Sequence, residues 1–158
     1  MKLLGLISLM AACAGIGLVE SHKLKERTVF LEGFIAFLNY SESHIRYGMC
    51  PVQELIFSCR RQLPVLEACA GYLEEGLAFP QAWSRSANEK GGKDSKLIRE
   101  FGFGLGATDL EGQLTHIRLY QKLTADRLRQ AQDCLEKKGK LYRQLGVLGG
   151  ISVALVLW

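Results

Sequence analysis

Leu105-Gly106-Ala107-Thr108-Asp109-Leu110-Glu111-Gly112-Gln113 opens the stretch that decides the fold, and Gly139-Lys140-Leu141-Tyr142-Arg143 closes it. Thr108 with Glu111 three residues on fits a capping box. In that motif two side chains satisfy backbone N–H groups that the first helical turn leaves without partners. A helix should therefore begin here. Leu110, Leu114, Ile117, Leu128, Ala131 and Leu135 then fall at helical spacing, with Gln121 and Thr124 in the intervening slots. Such spacing places all of them on one face. No proline follows Thr108. The expectation is a helix of about 30 residues, about 45 Å long at 1.5 Å per residue, leading directly into the last apolar segment.

That last segment, Leu145 to Trp158, is uncharged, and its upstream flank carries Lys137, Lys138, Lys140 and Arg143. Its length alone would also suit a core helix. Tyr142 and Trp158 stand where interfacial aromatics stand, and the basic stems can snorkel to lengthen a short span. At the other end, Leu3 to Val19 is also uncharged and is followed by Lys23, Lys25 and Arg27. A cleaved signal peptide is the rival reading, with Ala12-Cys13-Ala14 as its cleavage site. Positive charge favours the cytoplasmic side, so both basic flanks point to retained anchors with the intervening chain inside the cell. The expected order is an N-terminal transmembrane anchor at 1–19, a cytoplasmic helical bundle at 20–143 and a C-terminal transmembrane anchor at 144–158. Gly146, Gly150 and Ala154 repeat every four residues, as do Ala11 and Gly15. Small residues so spaced let membrane helices pack closely, although they are common in such helices anyway.

Between the anchors the pattern is helical throughout, so the expected class is all-α, a bundle of about six helices with short connections. In Thr28–Tyr47, Phe30, Phe34 and Phe37 make one stripe, and Leu31, Ile35, Leu38 and Ile45 an adjacent one. A helix apolar on two neighbouring faces belongs at the centre of a bundle. Gly48 can end it, and Pro51 suits the start of a second helix with Val52, Leu55, Ile56 and Cys59 inward. Pro64 opens a third, with Val65, Leu66, Cys69 and Leu73 inward and Gly76 closing it. Pro80, Ala82 and Trp83 begin a short fourth. Asn88–Asp94 is expected to be a loop, and Asp94 a cap for a fifth helix carrying Leu97, Ile98, Phe101 and Leu105.

Chemistry-bearing motifs are scarce. Gly102-Phe103-Gly104-Leu105-Gly106 lacks the spacing and the preceding strand of a nucleotide loop, and its glycines better suit a helix end or a close helix contact. In Gly91-Gly92-Lys93-Asp94, Asp94 occupies the hydroxyl position of a phosphate loop. Cys13, Cys50, Cys59, Cys69 and Cys134 form no C-x-x-C pair, and no histidine lies at ligand spacing from them. His22, His44 and His116 are scattered, without a nucleophile or carboxylate set that would make one catalytic. We therefore expect no enzyme, no metal and no cofactor. The net charge of +4, with both signs interspersed and no aromatic–basic interleaving, argues against a nucleic-acid partner. Asp126, Arg127, Arg129, Asp133, Glu136, Lys137 and Lys138 alternate in sign, which suits a solvated helix face. The apolar stripe is narrow enough for a coiled-coil contact with a second copy, or for packing on its own bundle.

In order along the chain, several patterns resemble one family. They are Lys23-Leu24-Lys25-Glu26-Arg27 after the anchor, Ile45-x-Tyr47-Gly48-x-x-Pro51-Val52-x-Glu54, Leu73-x-x-Gly76 with Ala82-Trp83, and Phe101-Gly102 with Leu105-Gly106 and Asp109. Glu111-Gly112-Gln113-x-x-His116-Ile117 and Gly139-Lys140-Leu141-Tyr142-Arg143-x-Leu145-Gly146 complete the set. The sequence resembles the stage III sporulation protein AB family. That resemblance implies a place in an assembly between mother cell and forespore, in the mother-cell membrane. It also implies similarity to the inner-membrane platform proteins of type II secretion and type IV pilus systems, with other sporulation membrane proteins and a cytoplasmic secretion-type ATPase as partners. The polar start of the long helix, with Asp109, Gln113 and His116, is then the expected partner surface. The alternative is a two-span signalling or adaptor protein unrelated to secretion.

Overall fold

Proline and glycine set most of the helix limits. A computed structural model describes the backbone of residues 2–48 and 51–157, and the side chains of residues 22–47 and 51–141. Among them the chain is all-helical: α1 (Lys2–Gly48), α2 (Val52–Cys59), α3 (Pro64–Glu74), α4 (Phe79–Lys90), α5 (Ser95–Gly104) and α6 (Leu110–Leu157), with one 3₁₀ turn at Gly92–Asp94 and no strand. Pro51 is the N-cap of α2, and Pro64 opens α3, where a missing N–H costs nothing. Gly76 closes α3 with φ +91°. Its N–H bonds to the Leu73 carbonyl, and that of Leu77 to the Tyr72 carbonyl, both at 3.0 Å. This is a Schellman ending, which satisfies carbonyls the helix leaves open.

Two expectations are corrected, and α1 is one continuous helix from the N-terminal segment into the bundle. The run Glu20 to Arg27 changes hydropathy but contains neither glycine nor proline, so nothing in it stops a helix. The expected loop at Asn88–Asp94 is helical as far as Lys90. Glu89 is held there by Arg85 one turn back at 3.2 Å and by the Tyr72 hydroxyl of α3 at 2.7 Å. Finally, Thr108 does not cap α6. Asp109 does, its Oδ1 accepting from the Gly112 N–H at 3.1 Å, one residue later than the capping-box spacing suggests. Asp94 sits at the N-cap of α5 without a capping bond from its side chain.

The chain falls into two compact units, Phe30–Arg127 and the pair Met1–Val29 with Leu128–Trp158. In the first, α1 supplies Phe34, Phe37 and Leu38 to a core shared with Leu55, Ile56, Leu66, Trp83, Ile98, Phe101 and Ile117. Phe30 is only partly buried against it, and Leu110 is exposed. Aromatic rings form the centre: Phe37 lies 6.2 Å from Trp83, and Phe34 meets Phe101 edge-on at 5.7 Å. Truncating one such ring to alanine costs about 3–5 kcal/mol. Buried hydroxyls stay satisfied within their own helices. Ser41 donates to the Phe37 carbonyl at 2.7 Å and Thr124 to that of Tyr120 at 2.6 Å. In the second unit Leu24, Thr28 and Ala131 are buried, and Thr28 donates to the Leu24 carbonyl at 2.9 Å.

Among the described residues no helix is long and apolar enough to cross a membrane. The segments expected to span, 3–19 and 145–158, lie outside the described side chains, as do Ala11, Gly15, Gly146, Gly150 and Ala154.

Candidate functional site

Asp109, Gln113 and His116 come together at one corner, where α5 ends and α6 begins. A helix leaves its last four carbonyls without partners. At the end of α5, two of them are satisfied by side chains from α6. The ring Nε2 of His116 lies 2.8 Å from the Phe101 carbonyl. A carbonyl can only accept, so that nitrogen carries a proton. Gln113 Nε2 donates to the Gly104 carbonyl at 3.2 Å and to the Thr108 hydroxyl at 3.2 Å, while its Oε1 accepts from the Gly106 N–H at 2.9 Å. One amide thus ties the helix end, the turn and the following residue together. Thr108, expected to cap α6, serves Gln113 instead.

Sequence spacing places Gln113 on an exposed face; in the structure it is 6% exposed. Its neighbours explain the difference. The turn Leu105–Asp109 folds over it, and only an amide there can serve a donor and two acceptors at once. His116 is half-buried, stacked on Phe101 at 5.4 Å and tilted against Tyr120 at 4.7 Å. Asp109 is exposed. The glycine run falls into place beside it. A Cβ on Gly102 would lie 1.9 Å from the Trp83 ring, and one on Gly104 2.2 Å from the His116 ring. These glycines are absences of side chain that let two rings approach the end of α5. Trp83 completes the contact by donating from Nε1 to the Ile98 carbonyl at 2.7 Å.

Spacing should have found Tyr120. It continues the sequence of steps from Gln113 through Ile117 to Thr124, yet its polar tip kept it off the apolar list. It is 8% exposed, and burial pushes its phenol pKa up, with Glu100 adding to the effect. Also missed is the junction of α1 with α6. Glu42 accepts from Arg118 at 2.9 Å, from Gln121 at 2.9 Å and from Arg46 at 2.7 Å. The Gln121 amide, then the two guanidinium groups, hold its carboxyl below the usual range against the opposing pull of burial. Spacing along one helix carries no information about a partner 76 residues away.

Among the described residues no group of three histidine, cysteine or carboxylate side chains gathers where it could hold a metal ion. Cys59 and Cys69 are buried, Cys134 exposed. Burial pushes the Cys69 thiol up to about 11. At the corner, donors and acceptors from α6 close the end of α5.

Comparison with curated proteins gives no match. A solved structure of stage III sporulation protein AB aligns with a TM-score of 0.61 at 22% identity, covering 70% of this chain and 97% of that one. At that identity the likeness establishes the shared fold. The sequence model of the family described as stage III sporulation protein AB matches residues 2–158. With that match running through the corner and both apolar ends, the chain belongs to the stage III sporulation protein AB family.

Proposed function

We propose that this chain is a non-enzymatic scaffold of the sporulation assembly between mother cell and forespore. It would be held in the mother-cell membrane by two spans, with its bundle in the cytoplasm. The observation that carries this reading is the family match over 2–158, which includes both apolar ends as well as the bundle. Two features support it. α1 and α6 each continue from the bundle unit into an apolar end without a break, as an anchored scaffold requires. The polar groups of the best-built corner are engaged in holding α5 to α6, which suits a support better than a catalyst.

The proposed partner is a secretion-type ATPase, with other sporulation membrane proteins alongside. Because Gln113 and His116 are engaged internally, contact would fall to what the corner exposes: Asp109, Phe103 at 59% and Leu110 at 41%. Deleting the gene from an endospore-forming host should abolish spores, and the wild-type chain should restore them. A Phe103→Ser, Leu110→Ser double variant should remain in the membrane and lose co-purification of the ATPase. Normal sporulation of the deletion strain would end this reading.

A further inference from the structure

We infer that the basic stretches at the ends of α1 and α6 form one collar that binds anionic lipid headgroups, and that this collar carries the entire net charge of the chain. The inference rests on the membrane reading above and deepens it. Residues 20–27 hold three basic and two acidic side chains, and residues 136–143 hold four and one. Their surplus of four equals the formal net charge of +4. Residues 28–135 between them carry twelve basic and thirteen acidic side chains. A chain whose bundle carries one net negative charge, yet whose two flanks are basic, has concentrated its positive charge where an anionic surface would meet it.

The fold unites the two stretches. They lie more than a hundred residues apart in sequence, yet both belong to the compact unit formed by Met1–Val29 and Leu128–Trp158. Lys23, Lys25 and Lys137 are exposed. Of the nearby carboxylates, Glu26 lies 3.5 Å from His22 and Glu136 pairs with Lys140 at 2.6 Å; both are already counted against the surplus of four. Each basic flank also directly adjoins an uncharged segment, Leu3–Val19 or Leu145–Trp158. Lysine and arginine in that position reach the headgroup level of a bilayer while their stems stay against apolar surface. A polybasic stretch beside a span recognises phosphatidylglycerol-type headgroups by charge, with little demand on geometry.

The test uses the full chain reconstituted in phosphatidylcholine bilayers with trace spin-labelled phosphatidylglycerol or spin-labelled phosphatidylcholine. The readout is the motionally restricted fraction of each label. The inference expects restriction of the anionic label to exceed that of the zwitterionic one by roughly five-fold, the worth of one basic side chain at an anionic surface. The preference should shrink toward unity in about 0.5 M salt, where the screening length falls to a few ångströms. It should also fall in a Lys23→Gln, Lys25→Gln, Lys137→Gln variant, whose helices are kept because glutamine is nearly as good a helix former as lysine. Equal restriction of the two labels in the wild type would overturn the collar and leave the membrane reading standing, as would a preference unchanged in the triple variant. No restricted lipid of either kind would mean that the chain is not embedded, and both would fall.

Discussion

Gln113 is the residue on which the corner depends. Its amide meets the end of α5, the turn and Thr108 together, and at 6% exposure no water is placed to replace it. Gln113→Ala removes those bonds and strands the Gly106 N–H, while the Gly104 carbonyl keeps only the Ala107 N–H at 3.3 Å. At about 1 kcal/mol per bond and more for a buried orphan, the loss should be about 2–4 kcal/mol, read as a lower denaturation midpoint of the purified chain in detergent. Gln113→Glu cannot donate to the Gly104 carbonyl and should also destabilise; an unchanged midpoint in both would show that the corner does not depend on this amide. Gly102 makes a second prediction. A methyl there would sit 1.9 Å from the Trp83 ring, inside a core with no slack. Gly102→Ala should cost about 1–3 kcal/mol by overpacking, whereas Gly71→Ala, with nothing within 4 Å, should not destabilise. These residues also show where a sequence is hard to read. Gln113 is polar and sits at helical spacing among polar neighbours, so it resembles a surface residue until the turn is known to close over it. Gly102 reads as a helix-end or close-contact glycine, but the sequence does not say that the contact is the Trp83 ring.

At the scale of elements, α1 and α6 are joined within the bundle unit by Glu42, which receives Arg118 and Gln121 from the other helix. Its pKa is lowered from 4.5, first by the Gln121 hydrogen bond. A carboxylate whose folded pKa is depressed stabilises the fold above its unfolded pKa and loses that contribution as pH falls through the folded one. Stability of the wild type should therefore drop as pH falls below about 4.5, and Glu42→Gln should flatten that part of the profile. Denaturation midpoints across this range decide the matter; parallel profiles would show that the junction contributes nothing through charge. Helix identity was the legible part of the sequence here. Pro51, Pro64 and Gly76 mark their boundaries through the backbone itself, and the stripes on α1, α2, α3 and α5 name most of the core. Boundaries governed by contacts with other helices were not legible. α4 reaches Lys90 because Tyr72 and Arg85 hold Glu89, and α6 starts from Asp109 because Gln113 has taken Thr108. The helix junction at Glu42 was invisible for the same reason: it depends on a pairing that no local period encodes.

For the molecule as a whole, family membership ties the chain to sporulation, and the all-helical fold agrees with the class read from its periodicity. The central claim is that the bundle lies in the cytoplasm between two membrane spans. Cys134 offers the most direct reporter, because its side chain is exposed on α6, between the bundle and the C-terminal apolar segment. Cys69 is an internal control: buried, with its thiol pushed up to about 11, it should stay unmodified on either side of the membrane until the chain is denatured. The measurement is labelling of intact cells with a membrane-impermeant maleimide, with each adduct located by peptide mass spectrometry. The account predicts no modification of Cys134 until the membrane is permeabilised, and rapid modification afterwards. Labelling of Cys134 in intact cells would contradict it.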